Sequence, residues 1–126
     1  MHNKKRHINV LGGKLIECSK NPMTGFLRNG CCESHPNDPG NHTICSLMNA
    51  SFLEYQFSLG NDLITSKEHL DFPGLKPGDK WCVCASRWLD AYKHGCASPV
   101  VLSSAHIDVL KLIDLKILKK FAIDLN

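Results

Sequence analysis

The chain has 126 residues, a formal net charge of +3 and a charged fraction of 21%, values typical of one soluble domain. A chain of this length buries roughly two-thirds of its unfolded surface, and no apolar run approaches the roughly 18 residues of a membrane span. The basic residues are not interleaved with aromatic ones as in nucleic-acid platforms. We therefore expect a cytoplasmic domain at 8–126, preceded by a flexible basic terminus at 1–7, with no membrane partner and no nucleic-acid partner.

The first forty residues are rich in turn formers. Apolar runs at 8–11 and 14–18 flank Gly12-Gly13 and predict two short strands around a tight turn. The Gly, Pro and Asn residues that follow, as far as Gly40, predict an ordered loop without regular structure. Loops of this length in compact domains are often functional.

The next elements alternate between strand and helix. Residues 42–48 predict a strand, and Asn49 is a suitable N-cap for a helix that ends at Gly60. Residues 80–85 (KWCVCA) fit either a strand, followed by a helix from Ser86 to His94, or the start of one longer helix. We favour the strand because the run is short, rich in β-formers and preceded by a turn.

The remaining residues predict a third strand at 99–103, a short helix at 105–111 and a last helix capped by Asp114. This order of elements predicts an α+β fold. We expect a compact two-layer α/β sandwich whose small sheet is covered mainly on one face by helices.

The chain has seven cysteines, an odd number, and no secretory signal precedes them. Small secreted domains usually carry an even number, paired in disulfides. We therefore expect free thiols or metal ligands rather than a disulfide framework, which would require that an export signal has been removed. The adjacent Cys31 and Cys32 should face opposite ways, one into the core, while Cys18 and Cys96 resemble core filler.

The pair Cys82 and Cys84 is the most informative. On a strand, alternate side chains share a face, so the two thiols would lie roughly 7 Å apart on one side. Cys45, on a neighbouring strand, would add a third thiol to that surface. If residues 80–85 begin a helix instead, the two thiols splay around its axis and this cluster does not form.

Three functional hypotheses follow from these thiols. The first is a small-molecule or redox-active protein that uses Cys45 or Cys84, with Cys84 activated by the positive end of the following helix. The second is a zinc- or copper-binding module with ligands among Cys45, Cys82, Cys84 and His42, although the chain lacks the CxxC spacing of most zinc sites. The third is a non-catalytic interaction domain whose cysteines are buried in the core.

Two other residues are candidates for the same site. Asp62, in the polar turn Gly60-Asn61-Asp62-Leu63, either completes that turn or places a carboxylate beside a pocket. Arg87 carries a guanidinium whose fork matches a carboxylate or a phosphate. We find no GxSxG, phosphate-loop or HExxH motif. These absences argue against the common hydrolase, kinase and zinc-protease classes.

Several stretches together resemble the bacterial domain-of-unknown-function family 2237, over roughly residues 9–122. The matching stretches are 9–13 (NVLGG), 22–26 (PMTGF), 30–32 (GCC), 60–63 (GNDL) and 72–85 (FPGLKPGDKWCVCA), with Asp38, Gly40, His42, Cys45 and Arg87-Trp88. The resemblance implies a compact two-layer α+β domain with no established activity. It also implies a candidate site, without roles, that gathers Cys31, Cys32, His42, Cys45, Asp62, Asp79, Cys82, Cys84 and Arg87. An aliphatic residue is usual in the family at the place of Cys96, which argues against a site role for this cysteine.

We therefore predict a thiol-lined pocket between the strand ends and the two turn-rich loops. Its ligand would be a small molecule.

Overall fold

The computed structural model describes residues 7–125. The predicted flexible terminus at 1–7 therefore lies, apart from His7, outside the described residues. Within 7–125 the structure has two strands, β1 (Ile44–Leu47) and β2 (Lys80–Val83), and three α-helices, α1 (Ala50–Ser58), α2 (Ala85–Lys93) and α3 (Leu115–Lys120). Single 3-10 turns lie at Glu68–Leu70, Leu102–Ser104 and Ile107–Lys111. This content confirms the predicted α+β class.

The two strands pair antiparallel, with Cys45 opposite Cys82 and Ile44 opposite Val83. Because side chains alternate along a strand, the sheet separates two clusters of buried side chains. Ile44, Trp81 and Val83 belong to the main core, whereas Cys45 and Cys82 belong to a smaller one with Val101 and two further cysteines.

The main core is built around Trp88 of α2, which is fully buried. Its indole N–H donates to the Ser98 carbonyl at 3.0 Å, and its ring meets Phe121 edge to face. Phe52 of α1 belongs to the same core. The helices are therefore attached to the sheet through large apolar side chains, as expected for amphipathic elements.

Two predicted helix starts are confirmed, since each depends on a side chain close to the helix it caps. The Asn49 side chain accepts from the N–H of Phe52, and the Asp114 side chain accepts from the N–H of Lys116, both at 2.9 Å. These bonds satisfy N–H groups that a helix leaves without partners in its first turn.

The strand at the KWCVCA segment is also confirmed, but it ends at Val83, and the following helix begins earlier than predicted. Cys84, rather than Ser86, is the N-cap of α2. The Ala85 N–H donates to the Asn41 carbonyl at 3.1 Å, and the Trp88 N–H already bonds the Cys84 carbonyl at 3.0 Å. The chain therefore turns into the helix two residues before the serine.

The strand predicted at 42–48 is confirmed as β1, whereas the strands predicted at 8–11, 14–18 and 99–103 are wrong. Residues 8–18 form only two isolated bridges, Ile8 with Lys14 and Asn9 with His106, because the Asn9 side chain bonds the backbone at both ends of the Gly-Gly turn. In 99–103 only Val100 forms bridges, to Ser46 and Ala122. The chain then turns into a 3-10 turn, and the helix predicted at 105–111 is a 3-10 turn as well.

Within the described part of the chain, no helix combines the length and apolarity needed to cross a lipid bilayer.

Candidate functional site

Four of the seven cysteines form disulfides, Cys18–Cys45 and Cys32–Cys82. The expectation of free thiols or metal ligands instead of disulfides is therefore wrong for these four, and Cys18 is a cross-link rather than core filler. The physical reason is the path of the long loop before β1, which lays Cys18 and Cys32 against the cysteine-bearing face of the sheet. Each strand cysteine meets a loop cysteine there. The free thiols among the described residues are Cys31, Cys84 and Cys96.

The sulfur atoms of the two disulfides lie close together. Those of Cys18, Cys32 and Cys82 are all within 4.8 Å of one another, and Cys45 is bonded to Cys18. All four residues are buried. We call them the four-cysteine cluster. Cysteine sulfurs are zinc ligands when they are thiolates, so this buried group can hold a metal ion only when its disulfides are reduced.

The predicted grouping of Cys84 with Cys45 and Cys82 is not observed. Cys82 belongs to the four-cysteine cluster, whereas Cys84 lies beyond the end of β2 and lines a cavity that neither Cys45 nor Cys82 lines. The alternation of a strand does not continue into a helix N-cap, so the shared face ends at Val83. His42, the other predicted metal ligand, lies at the same cavity as Cys84.

Two adjoining cavities, of about 290 and 70 Å³, form one opening that we call the cleft. It lies between β2, the loop that follows α1 and the loop that leads into β1. The two cavities share His42, Asn61, Leu63 and Trp81. The larger one is also lined by Gly25, Phe26, Arg28, Asp62, Lys67, Leu70, Phe72 and Cys82, and the smaller one by Phe52, Val83, Cys84 and Arg87. Five predicted site residues, His42, Asp62, Cys82, Cys84 and Arg87, therefore line this cleft.

The imidazole of His42 is held by a buried carboxylate. Nδ1 lies 2.8 Å from Oδ1 of Asp38, whose side chain is only 1% exposed. The Asp38 carboxylate also accepts the N–H groups of Gly40 and His42 at 3.1 and 2.8 Å. Because a carboxylate accepts, the shared proton belongs to Nδ1, and Nε2 is left as the acceptor nitrogen of the neutral ring.

Cys84 and Arg87 share the smaller cavity with His42. Cys84 is the N-cap of α2 and its sulfur lies 3.2 Å from the Ser86 hydroxyl oxygen. The first-turn N–H groups of a helix favour negative charge at its N-terminus. The strand-to-helix turn thus places a half-buried thiol, an imidazole and a guanidinium around one cavity.

Asp62 shapes the turn after α1. Its Oδ1 accepts the N–H groups of Ile64 and Thr65, both at 2.9 Å. Hydrogen bonds from the side chain and N–H of Thr65 lower the pKa of Asp62 and outweigh the opposing effect of desolvation. Asp62 therefore stays a carboxylate in the cleft, and much of its hydrogen-bonding capacity is used by the backbone.

Cys31 is the free thiol nearest to the four-cysteine cluster along the chain. As predicted for adjacent cysteines, Cys32 is buried and Cys31 is half-exposed. Burial raises the pKa of the Cys31 thiol, and the carboxylates of Glu33 and Glu17 raise it further. Because the thiolate is the nucleophile, Cys31 is expected to be a slow nucleophile at neutral pH.

Three residues at or beside the cleft, Asp38, Arg28 and Lys67, are not predicted as site residues from the sequence. Asp38 leaves a local pattern, Asp-x-Gly-x-His, in which a small residue lets the chain fold the histidine back onto the carboxylate. Arg28 and Lys67 leave none, because both reach the cleft from loops whose paths depend on distant contacts.

Comparison with known protein families confirms the resemblance seen in the motifs. The family described as "uncharacterized protein conserved in bacteria", DUF2237, matches residues 8–122. No curated protein matches the chain.

Proposed function

We propose that the chain, which belongs to the family DUF2237 of proteins conserved in bacteria, binds a small molecule in the cleft and reacts with it through the Cys84 thiol. His42 is proposed as the base and Asp38 as the residue that positions it. Cys45, the other predicted nucleophile, has no free thiol while it is bonded to Cys18.

One observation carries this proposal. The cavity lined by Cys84 is also lined by a histidine whose Nδ1 is fixed by a buried carboxylate. This is the general pattern of an activated nucleophile, in which a base adjoins the thiol and a third group orients the base. Apo sites often hold such groups farther apart than the reacting complex does.

The proposed step is addition to an electrophilic carbon. The Cys84 S–H bond breaks and its proton passes to His42 Nε2, while the sulfur forms a bond with the ligand carbon. The electron pair displaced from that carbon then takes up the proton from His42. No external oxidant or reductant is needed, and the reverse steps release the ligand.

Alkylation kinetics test the proposal. Native protein is treated with iodoacetamide at pH 7, and the modification of each free cysteine is followed by mass spectrometry. We expect Cys84 to react at least about tenfold faster than it does in urea-unfolded protein, and His42→Asn to remove most of that advantage. Unchanged Cys84 kinetics on unfolding would contradict the proposal.

His94→Asn is the matched control. His94 also pairs with an aspartate, its Nδ1 lying 3.4 Å from Asp90, but it is not among the residues lining the cleft. The control should leave the rate at Cys84 unchanged. If all three free cysteines react no faster than in unfolded protein, the interaction-domain hypothesis is favoured instead.

A second candidate function is zinc binding, supported by the four-cysteine cluster. Tetrahedral sites hold zinc about 2.3 Å from each sulfur, which places the sulfurs about 3.8 Å apart. The cluster brings three sulfurs within 4.8 Å. We propose a cytoplasmic location with this candidate, because the cytosol keeps most protein thiols reduced. Two molecules of a dithiol, each oxidised to its own disulfide, would supply the four electrons and four protons that open both disulfides, and zinc would then displace the protons from the four thiols.

Cobalt binding tests this candidate, because thiolate-bound cobalt absorbs strongly in the near ultraviolet. The protein is reduced with a dithiol, desalted without oxygen and titrated with cobalt and then with zinc or cuprous ion. One metal per chain is expected, lost in Cys45→Ser and retained in Cys96→Ser. Absence of stoichiometric metal in the reduced protein rules the candidate out.

A further inference from the structure

The larger cavity has a wall on which cations and aromatic rings alternate. The rings of Trp81 and Phe72 meet edge to face, with centroids 5.3 Å apart. Arg28 Cζ lies 5.2 Å from the Trp81 centroid, and Lys67 Nζ lies 5.4 Å from the Phe72 centroid. Such contacts hold a flexible cationic side chain against an apolar surface. The wall therefore presents two positive charges next to two buried rings.

Neither cation forms an ion pair among the described residues, although the charge of Lys67 contributes to lowering the pKa of Asp62. Within residues 7–125, the ion pairs of lysine and arginine do not include Arg28 or Lys67. Arg28 Nη1 donates to the Met23 carbonyl at 3.3 Å, and Lys67 Nζ donates to the Asp62 carbonyl at 2.8 Å. Both contacts use neutral backbone oxygens and leave the other N–H groups of each cation available.

The charge of the whole cleft is positive. Its described lining residues include three cations, with Arg87 as the third, and one carboxylate, Asp62, so the net charge is +2 with His42 neutral. Oδ1 of Asp62 already accepts hydrogen bonds from the backbone N–H groups of Ile64 and Thr65. A cleft of net positive charge with partly apolar walls attracts an anion more strongly than the same charges in bulk water.

We infer that the ligand of the cleft is a small organic anion, a carboxylate joined to a flat apolar body, held by Arg28 and Lys67 beside the Trp81 and Phe72 rings. The rings and Leu63 supply the apolar contact, and the guanidinium fork of Arg28 matches a carboxylate. The cavity of about 290 Å³ is at the small end of ligand sites, which favours a ligand of one ring. This inference rests on the proposal that the cleft takes up a small molecule, but not on the reactivity of Cys84.

Three probes separate charge from shape. Phenylacetate carries both the ring and the carboxylate, phenylacetamide has the same shape without the charge, and acetate has the charge without the ring. In an NMR titration of 15N-labelled protein, phenylacetate is expected to shift the resonances of Trp81 and its neighbours. The amide and acetate should each bind about tenfold more weakly. Equal affinity for phenylacetate and phenylacetamide, or binding of neither, overturns the inference.

Variants locate the effect. Arg28→Gln and Lys67→Gln should each bring the affinity for phenylacetate close to that for phenylacetamide and leave the amide affinity unchanged. Lys119→Gln removes an exposed cation at the end of α3 and should change neither affinity. Loss of discrimination in Lys119→Gln, or its retention in the two cleft variants, counts against the assignment.

Cys84→Ser separates the two proposals. If phenylacetate binds this variant normally while Cys84 of the parent is unreactive, the proposed thiol chemistry fails and the anion site stands. If Cys84 reacts rapidly while the charged and neutral probes bind alike, the anion site fails and the thiol chemistry stands.

Discussion

The imidazole of His42 packs directly on the backbone of Gly40. A Cβ atom added to Gly40 would lie 2.7 Å from Cε1 and 3.2 Å from Nδ1 of the ring. The backbone of Gly40 is outside the left-handed region, so alanine is allowed there by its own conformation. A methyl group at this position would therefore displace the histidine ring and not strain the backbone of residue 40.

Gly40→Ala is expected to displace the His42 ring from Asp38 and to lower the alkylation rate of Cys84 about as much as His42→Asn does. Gly13→Ala is the matched control, because a Cβ there meets only the Asn9 side chain, at an ordinary 3.6 Å. Both variants should stay folded by circular dichroism. A normal Cys84 rate in Gly40→Ala would show that the position of the ring does not matter for the thiol.

Thr24 ties the long loop to the sheet. Its hydroxyl oxygen accepts the Cys82 N–H at 2.8 Å, and both residues are buried. Thr24→Val keeps the shape and removes the acceptor, which leaves a buried N–H without a partner. We expect the free energy of unfolding in urea to fall by about 1–3 kcal/mol. Thr24→Ser, which keeps the hydroxyl, should lose much less, and equal losses in the two variants would assign the effect to packing.

Some residues of the cleft are predictable from the sequence and others are not, and the difference has a physical reason. His42, Cys84 and Arg87 lie at the ends of β1 and β2 and the start of α2, elements that local patterns predict. Arg28 and Lys67 enter from loops, and their contacts with Trp81 and Phe72 depend on how those loops close over the sheet. Their residue types alone indicate only exposed cations.

The C-terminal segment acts as an added strand-like element. The Val100 N–H donates to the Phe121 carbonyl at 2.8 Å, and the Ile123 N–H donates to the Val100 carbonyl at 2.9 Å. The Asp124 carboxylate then accepts the N–H groups of Leu102 and Ser103 at 2.8 and 2.9 Å. These bonds fix the chain end against the 3-10 turn at Leu102–Ser104.

Asp124→Ala should destabilise the protein at neutral pH because it removes two hydrogen bonds, but only by about 1 kcal/mol because Asp124 is exposed to solvent. Burial alone would raise the pKa of Asp124, but the hydrogen bonds from Ser103 and Leu102 outweigh it and lower the pKa. Because the pKa of Asp124 is lower in the folded protein than in the unfolded chain, its carboxylate stabilises the fold at pH values above the unfolded pKa of about 3.9. This contribution is lost as the pH falls through the folded pKa.

The difference between parent and Asp124→Ala should therefore be constant from pH 7 to about pH 5 and shrink as the pH falls below about 4. Urea unfolding at several pH values measures it. Glu54→Ala, at an exposed position on α1, is the control and should show little difference from the parent at neutral pH. A difference for Asp124→Ala that persists at pH 2 would mean that the carboxylate charge is not its source.

At the scale of elements, helix starts were predicted correctly where they depend on residues close in the sequence. Asn49 and Asp114 cap their helices through bonds to residues two or three positions away. A strand needs a partner elsewhere in the chain. The apolar runs at 8–11 and 14–18 therefore do not show whether these residues pair as strands or whether the Asn9 side chain bonds the turn instead. The start of α2 at Cys84 likewise depends on the distant Asn41 carbonyl.

At the scale of the whole molecule, the two disulfides overlap along the chain. Cys18–Cys45 joins residues 27 positions apart, and Cys32–Cys82 joins residues 50 positions apart. Together they fasten a long loop that has no helix or extended strand of its own to the face of a two-stranded sheet. This pairing could not be predicted from the sequence, because seven cysteines allow many connectivities. The odd number of cysteines argued against disulfides, but it arises because three of the seven stay free.

The Cys32–Cys82 cross-link closes the larger loop and should contribute about 4 kcal/mol, against about 3.5 kcal/mol for Cys18–Cys45, by the loss of chain entropy in the unfolded state. The double variant Cys32→Ala with Cys82→Ala should lose this stability in urea without reductant, whereas Cys96→Ala should lose little. Since zinc would need the same four sulfurs as thiolates, adding zinc should stabilise only the reduced parent protein. Two results together would show that the cluster is a metal site and not a pair of cross-links. The double variant would be as stable as the parent without zinc, and only zinc would stabilise the parent.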